Sequence, residues 1–164
     1  MIFKPTFAFV TVTDINIEFL KSKGIKGLIL DLDNTLTTHN NPHPAEKVTD
    51  WIESMKKNGI KMMIVSNNSA ERVTPFAKNL GLPFVSKGRK PLTSGFSRAQ
   101  RIMNIPFENI AIVGDQVFTD IVGANIKRVK TIYVKPIELE KTRFFKFKRA
   151  LEKPFLRKLK YWGK

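Results

Sequence analysis

Short apolar runs and helical apolar stripes take turns along this chain. Residues 27–33, 60–66, 83–86, 109–114 and 130–134 are rich in Ile, Val, Leu and Met with few interruptions, as strands buried on both faces are. Lys23-Gly24 and Asn58-Gly59 supply turns ahead of the first two. Between the runs the period changes to that of a helix. Val48, Trp51, Ile52 and Met55 recur at i, i+3, i+4 and i+7, with Pro44 suited to the first helical position and Trp51 to the core. Ser69 can cap a helix whose inner face is Val73, Phe76, Ala77 and Leu80, ended by Gly81 and Pro83. Phe96, Ala99 and Met103 mark another over residues 92–104, and shorter helices are expected at 118–125 and 14–21. Strands alternating with helices predict an α/β domain: a single doubly wound, Rossmann-like parallel sheet of about five strands, with helices on both faces. There is no internal repeat and no low-complexity linker.

The length, 164 residues, suits one domain, and 42% hydrophobic content is enough for a buried core. The net charge of +15 changes the picture more, because it calls for an anionic partner: nucleic acid, an acidic membrane face or phosphorylated material. Cysteine is absent, which excludes disulfides, a thiol nucleophile and cysteine-ligated metal. No apolar run approaches the roughly 20 residues of a membrane span. The N-terminal stretch has an apolar patch but neither the basic start nor the cleavage site of a secretory signal, so a cytoplasmic protein is expected.

The candidate chemistry stands at strand ends. Asp31-Leu32-Asp33-Asn34-Thr35 closes the first run, and alternation along a strand puts Asp31 and Asp33 on one side. Gly114-Asp115 through Asp120 closes the fourth. Ligand crevices of parallel sheets lie outside the carboxyl ends of strands, so both sites face one place. Carboxylates gathered there repel one another unless a cation sits among them, and all-oxygen ligation favours Mg²⁺ over zinc. Ser66, before amides that open a helix, suits a phosphate, as does Asn67 beside it. Lys90 can neutralise phosphoryl charge. A nucleophilic carboxylate, a second carboxyl, a metal and a fixed cation are the parts of a phosphoryl transfer.

Asp31-Leu-Asp-Asn-Thr35, Ser66, Lys90 and Gly114-Asp115 through Asp120 together resemble the four ordered motifs of the haloacid dehalogenase-like phosphatases, over roughly residues 25–135. Ile64-Val-Ser-Asn-Asn68 and Arg89-Lys-Pro91 are most similar to the subclass IIIA branch, among bacterial relatives of mitochondrial phosphatidylglycerophosphate phosphatase. The resemblance implies that Asp31 is the nucleophile and Asp33 the acid/base. It implies Mg²⁺ held by Asp31, the backbone carbonyl of Asp33, and Asp115, with Asp120 beside it, and phosphoryl oxygens held by Ser66 and Lys90. It also implies a lipid substrate, phosphatidylglycerophosphate. The motif spacing leaves no room for a large cap domain, so the site should be open to a substrate carried on something bulky.

Residues 1–135 are expected to form the hydrolase core. Residues 136–164 form a basic extension of net charge +7 with six aromatics, packed on the core or projecting from it. Such a segment suits an anionic phospholipid surface, which would place the protein peripherally on the inner face of a membrane. The same composition suits nucleic acid less well. Rival readings are a phosphatase for nucleic-acid ends or phosphoproteins, and a basic nucleic-acid- or ribosome-binding protein with a vestigial site. A receiver-like switch is disfavoured by Asp33, since a switch needs a stable aspartyl phosphate. His39 and His43 flank the mouth of the expected site, where a structural role is the plainer reading.

Overall fold

The computed structural model describes residues 1–163, so Lys164, the last residue of the expected basic extension, lies outside the described residues. Six strands form one all-parallel sheet: β1 (Phe7–Phe9), β2 (Gly27–Leu30), β3 (Lys61–Val65), β4 (Phe84–Val85), β5 (Ile110–Gly114) and β6 (Lys130–Val134). Their spatial order is β1-β6-β5-β2-β3-β4. The chain thus winds outward from β2 in one direction and later in the other, and the crevice lies where the order switches, at the ends of β2, β3 and β5.

Alternation along the strands divides the core into two layers. Leu28, Leu30, Met62 and Ile64 pack under α1 (Ile17–Ser22), α2 (Val48–Lys57) and α3 (Ala70–Leu80). Ile29, Met63, Val65 and Ile112 face the other way, toward α4 (Ser94–Met103) and α5 (Val122–Ile126). Trp51 is buried as expected, and its indole N–H donates to the Ile15 carbonyl at 2.8 Å, so the ring enters the core without an orphan donor.

The differences from the sequence reading have local causes. A sixth strand, β1, pairs with β6 at the sheet edge, and three residues are too few to show a period. Pro44 stands ahead of α2, whose first helical residue is Val48 after a left-handed Lys47. The N-terminal helix begins later than residue 14, at Ile17, because the Asn16 side chain caps it through the Phe19 N–H at 2.8 Å. The helix expected at 118–125 is a π-helical turn, Val117–Ile121, running into α5.

The chain beyond β6 is not a loose tail. α6 (Arg143–Leu156) turns Phe145, Lys148, Arg149, Glu152, Phe155 and Leu156 toward the body, at helical spacing. Phe155 stacks on Phe3 at 4.7 Å between ring centres. The Trp162 N–H donates to the Ala8 carbonyl at 2.8 Å, laying the following segment along β1. On the outer side Phe144, Phe147 and Leu151 are exposed, in a stripe at i, i+3 and i+7. Among the described residues no helix is long and apolar enough to cross a membrane.

Candidate active site

β2 ends at Leu30, and buried Leu32 and Leu36 anchor the turn that carries Asp31 and Asp33 over the sheet edge. Across the switch point, β5 delivers Asp115, and the π-helical turn returns Asp120 beneath it. A Cβ on Gly114 would lie 2.3 Å from the Asp120 carboxylate, so only glycine lets that acid lie against the strand end. The loop before α4 brings in Lys90, whose ammonium donates to Asp31 at 2.7 Å and to Asp120 at 2.6 Å. One carboxylate oxygen each from Asp31, Asp115 and Asp120 lies within 4.8 Å of the others. Above them opens a pocket of about 190 Å³, lined by Asp31, Asp33, Ser66, Lys90, Phe145 and Lys148 among others.

The electrostatics of this cluster are unbalanced. Among the described residues, Asp31, Asp115 and Asp120, with Glu140 and Glu152 alongside, make their ion pairs with Lys90 and Arg149, two cations for five acids. Burial pushes the Asp31 carboxyl up to about 6, with Lys90 opposing and Asp115 adding to the rise. Asp115 is likewise raised to about 6 by burial, against the pull of Arg149. Asp120 also reaches about 6, through burial and the neighbouring Asp31. Burial works against the Lys90 ammonium too, but Asp120 and Asp31 outweigh it and hold its pKa above the ordinary lysine value. Three clustered carboxyls whose charged forms are disfavoured by burial first, and by one another second, are a donor set that a hard divalent cation would satisfy, and the residues present therefore fit one.

Asp33 stands apart from that trio. Its carboxylate accepts from Arg72 of α3 at 2.8 Å, from the Asn40 N–H at 3.0 Å and from the Asn68 amide. It still lines the pocket, although β2 has ended before it and strand alternation no longer sets its direction. Ser66 is buried at the end of β3 and lines the same pocket, its hydroxyl accepting from the Asn68 N–H at 3.1 Å. The Asn67 amide, expected on phosphate, lines the pocket and also braces the Lys90 backbone. It accepts from the Lys90 N–H at 2.7 Å and donates to the Lys90 carbonyl at 3.0 Å, fixing the backbone that aims Lys90. His39 lines the pocket beside Phe145, whereas the His43 carbonyl only accepts the Thr37 hydroxyl.

Four residues here escape the sequence reading: Arg72, Glu140, Arg149 and Glu152. The Glu140 carboxylate accepts from Asn34 at 3.0 Å and from Arg149 at 2.8 Å. Glu152 is fully buried and accepts the Val117 N–H at 2.9 Å. The available signal was the presence of acids inside a strongly basic segment, together with the i, i+3, i+4 stripe that turns both Arg149 and Glu152 inward.

The family model described as mitochondrial PGP phosphatase matches residues 1–138. A protein of Bacillus subtilis (strain 168) named "Probable phosphatase YqeG" is 41% identical over 146 residues, covering 89% of this chain and 85% of that protein. "Phosphatidylglycerophosphate phosphatase 1, chloroplastic" of Chlamydomonas reinhardtii is 25% identical over 145 residues, 81% of this chain and 53% of its own length. The chain thus spans about half of that relative. Among solved structures, the 4-nitrophenylphosphatase of Thermotoga maritima has the same fold, with a TM-score of 0.60 at 13% identity over 73% of this chain and 89% of that one.

Proposed function

This chain belongs to the mitochondrial PGP phosphatase family and is a phosphatase of the haloacid dehalogenase type, and from that premise we propose that it is Mg²⁺-dependent and converts phosphatidylglycerophosphate to phosphatidylglycerol. The observation that carries the reading is the contact of Lys90 with both Asp31 and Asp120 at the floor of an open, carboxylate-lined pocket.

Asp31 attacks phosphorus, and its new bond forms as the bond to the alcohol oxygen breaks. Asp33 enters this step in its protonated form and gives that oxygen its proton, ending as the carboxylate. Water then attacks the aspartyl phosphate, Asp33 takes the water's proton, and Asp31 is released together with inorganic phosphate. Arg72 and Asn68 hold the Asp33 carboxylate in place for both transfers. Ser66 and Lys90 hold the phosphoryl oxygens, and Lys90 keeps Asp31 ionised for attack. Asp31, Asp115, Asp120 and the backbone carbonyl of Asp33 would hold Mg²⁺, which when bound supplies positive charge against the phosphoryl oxygens.

Phosphate release tests this directly, measured with Mg²⁺ and with chelator on phosphatidylglycerophosphate vesicles, phosphorylated oligonucleotide ends, phosphopeptides and sugar phosphates. The lipid should give the highest kcat/KM, and only with the metal. Faster release from nucleic-acid ends or phosphopeptides would overturn the substrate, and release in chelator would overturn the metal.

Metal binding should also show in stability. In the metal-free protein the three carboxyls titrate near 6 when folded, against an ordinary 3.8. The folded form therefore holds extra protons between those values, and stability falls as pH rises from about 4 to about 6. Mg²⁺ at a hundredfold excess over its Kd contributes about 2.7 kcal/mol, or roughly 5–10 °C in Tm for a chain this size. That rise is expected at pH 7.5 and should nearly vanish at pH 5; an equal rise at both would exclude the carboxylate site.

The outer face of α6 supports a peripheral place at an anionic bilayer. Phe147 and Leu151 are 65% and 48% exposed, between Arg143, Lys146 and Lys153. Vesicles rich in phosphatidylglycerol should bind the protein and zwitterionic ones should not, with each basic residue at the surface worth about 1 kcal/mol at low salt. Phe147→Ser with Leu151→Ser should remove the salt-resistant share of binding without lowering Tm. Equal binding to both vesicle types would refute the assignment.

A further inference from the structure

We propose that Arg149 of α6, beyond the family-matched residues 1–138, is a positioning residue of the phosphatase site that holds the Asp115 carboxylate toward Asp31 and Asp120. The proposal rests on the phosphatase reading above, and it makes α6 a working part of the site.

The guanidinium reaches the β5 end with two of its nitrogens. Nη1 donates to the Asp115 carbonyl at 2.7 Å, and Nη2 donates to the Asp115 side chain at Oδ2. Backbone and side chain of one residue are thereby gripped by one rigid fork, which fixes the rotation of the carboxylate as well as its place. The other oxygen, Oδ1, is left to the Thr35 hydroxyl at 3.4 Å and to the carboxylate cluster.

The fork is itself held in place. Glu140 accepts from Nε at 3.2 Å and from Nη2 at 2.8 Å, and Glu152 accepts from Nη1 at 3.2 Å. Each acid has a second hold on the site. Glu140 accepts from Asn34, next to Asp33, whose left-handed backbone also receives the Ile137 N–H. Glu152 takes the Val117 and Phe118 N–H groups just after Asp115, at 2.9 and 3.4 Å. Arg149 thus ties the loop of the nucleophile to the loop of the metal acids, with its side chain only 13% exposed.

Charge alone makes the opposite prediction from positioning. A cation beside a metal site repels the metal, so a guanidinium acting only as charge should weaken metal binding, and its loss should tighten it. Arg149, however, already faces Glu140 and Glu152, which offset its field and leave the oriented bond to Asp115 as its main effect. Partners that orient metal ligands typically contribute about 10–100-fold in affinity.

The test measures Mn²⁺ binding to the full chain without substrate, by loss of the free-ion paramagnetic resonance signal, alongside kcat and KM on 4-nitrophenyl phosphate at varied Mg²⁺. Arg149→Met should weaken Mn²⁺ binding at least about tenfold and raise the Mg²⁺ needed for half activity by a similar factor, with KM changed less. Arg149→Lys keeps the charge but not the fork, and should resemble Arg149→Met. The double variant Arg149→Met with Glu140→Gln keeps the net charge of the wild-type site and leaves one less unpaired acid, which guards against misfolding. It should still bind Mn²⁺ about tenfold more weakly. Millimolar guanidinium should restore part of the affinity of Arg149→Met. Mn²⁺ binding that is unchanged or tighter in Arg149→Met, or restored in Arg149→Lys, would overturn the proposal. The wild-type protein separates the two readings: if it binds Mn²⁺ but releases no phosphate from any substrate, the phosphatase reading fails while the Mn²⁺ series still decides Arg149.

Discussion

Asp31→Asn should lower turnover about 10⁴-fold or more, the scale on which enzymes lose rate when a covalent nucleophile is removed. The amide matches the carboxylate in shape but cannot form the acyl phosphate. Stability should move the other way. Burial holds the Asp31 carboxyl up at about 6, so at pH 7.5 its charge is a strain on the metal-free fold. A neutral side chain relieves that strain, while Lys90 keeps its bond to Asp120. In chelator the Tm of Asp31→Asn should equal or exceed that of the wild type, and the gain from added Mg²⁺ should shrink. Activity within tenfold of wild type would remove Asp31 from its role.

Lys90→Met should damage both activity and fold. Lys90 is only 7% exposed, and its ammonium joins two acids from different elements. Removing one partner of a buried ion pair leaves uncompensated charge and typically costs about 3–5 kcal/mol, or roughly 10 °C in Tm here. Turnover should fall at least about 10²–10³-fold, as when a preorganised donor to the transition state is lost. The pH dependence gives the stronger check. With Lys90 gone, Asp31 and Asp120 hold their protons more tightly still, so the loss of stability is greatest above pH 6 and small at pH 5, where both are protonated in the fold. Acidification should therefore restore much of the Tm and none of the activity. A variant that keeps more than a tenth of wild-type turnover would rule out Lys90 as the phosphoryl cation.

The acids and Lys90 could be found in the sequence because each stands immediately beyond a run of buried strand residues or just before a helix. Parallel topology sends all those strand ends to one crevice, so strand spacing alone brings Asp31, Ser66 and Asp115 together. Arg149 has no such marker, since its partner lies 34 residues back in the chain and α6 carries four other basic residues, Arg143, Lys146, Lys148 and Lys153. Glu152 is hidden in the same way. Asn67 shows a different limit: its residue type points to a phosphate contact, and only the fold reveals that both ends of its amide also brace the Lys90 backbone. The edge strand β1 was hidden because its partner, β6, follows more than a hundred residues later. Composition leaves open whether the basic extension packs on the core or projects from it, and its helical period does both, with an inward face of Arg149, Glu152 and Phe155 and an outward one of Phe144, Phe147 and Leu151.

A carboxylate-lined pocket inside a chain of net charge +15 sets an order of events for any anion that approaches. Within about a Debye length of the surface, about 8–10 Å at ordinary salt, an incoming phosphate meets an attractive field and is drawn in. Closer in, Asp31 at the pocket wall and Asp115 and Asp120 beneath it oppose the same phosphate, so on the proposed reading it is admitted once a divalent cation offsets those acids. Capture and admission are thus governed by different charges. Salt slows the first by screening the exposed lysines and arginines, whereas the second is set by buried groups that salt reaches poorly. The protein can gather anionic ligand at its surface well before the site is ready to accept it.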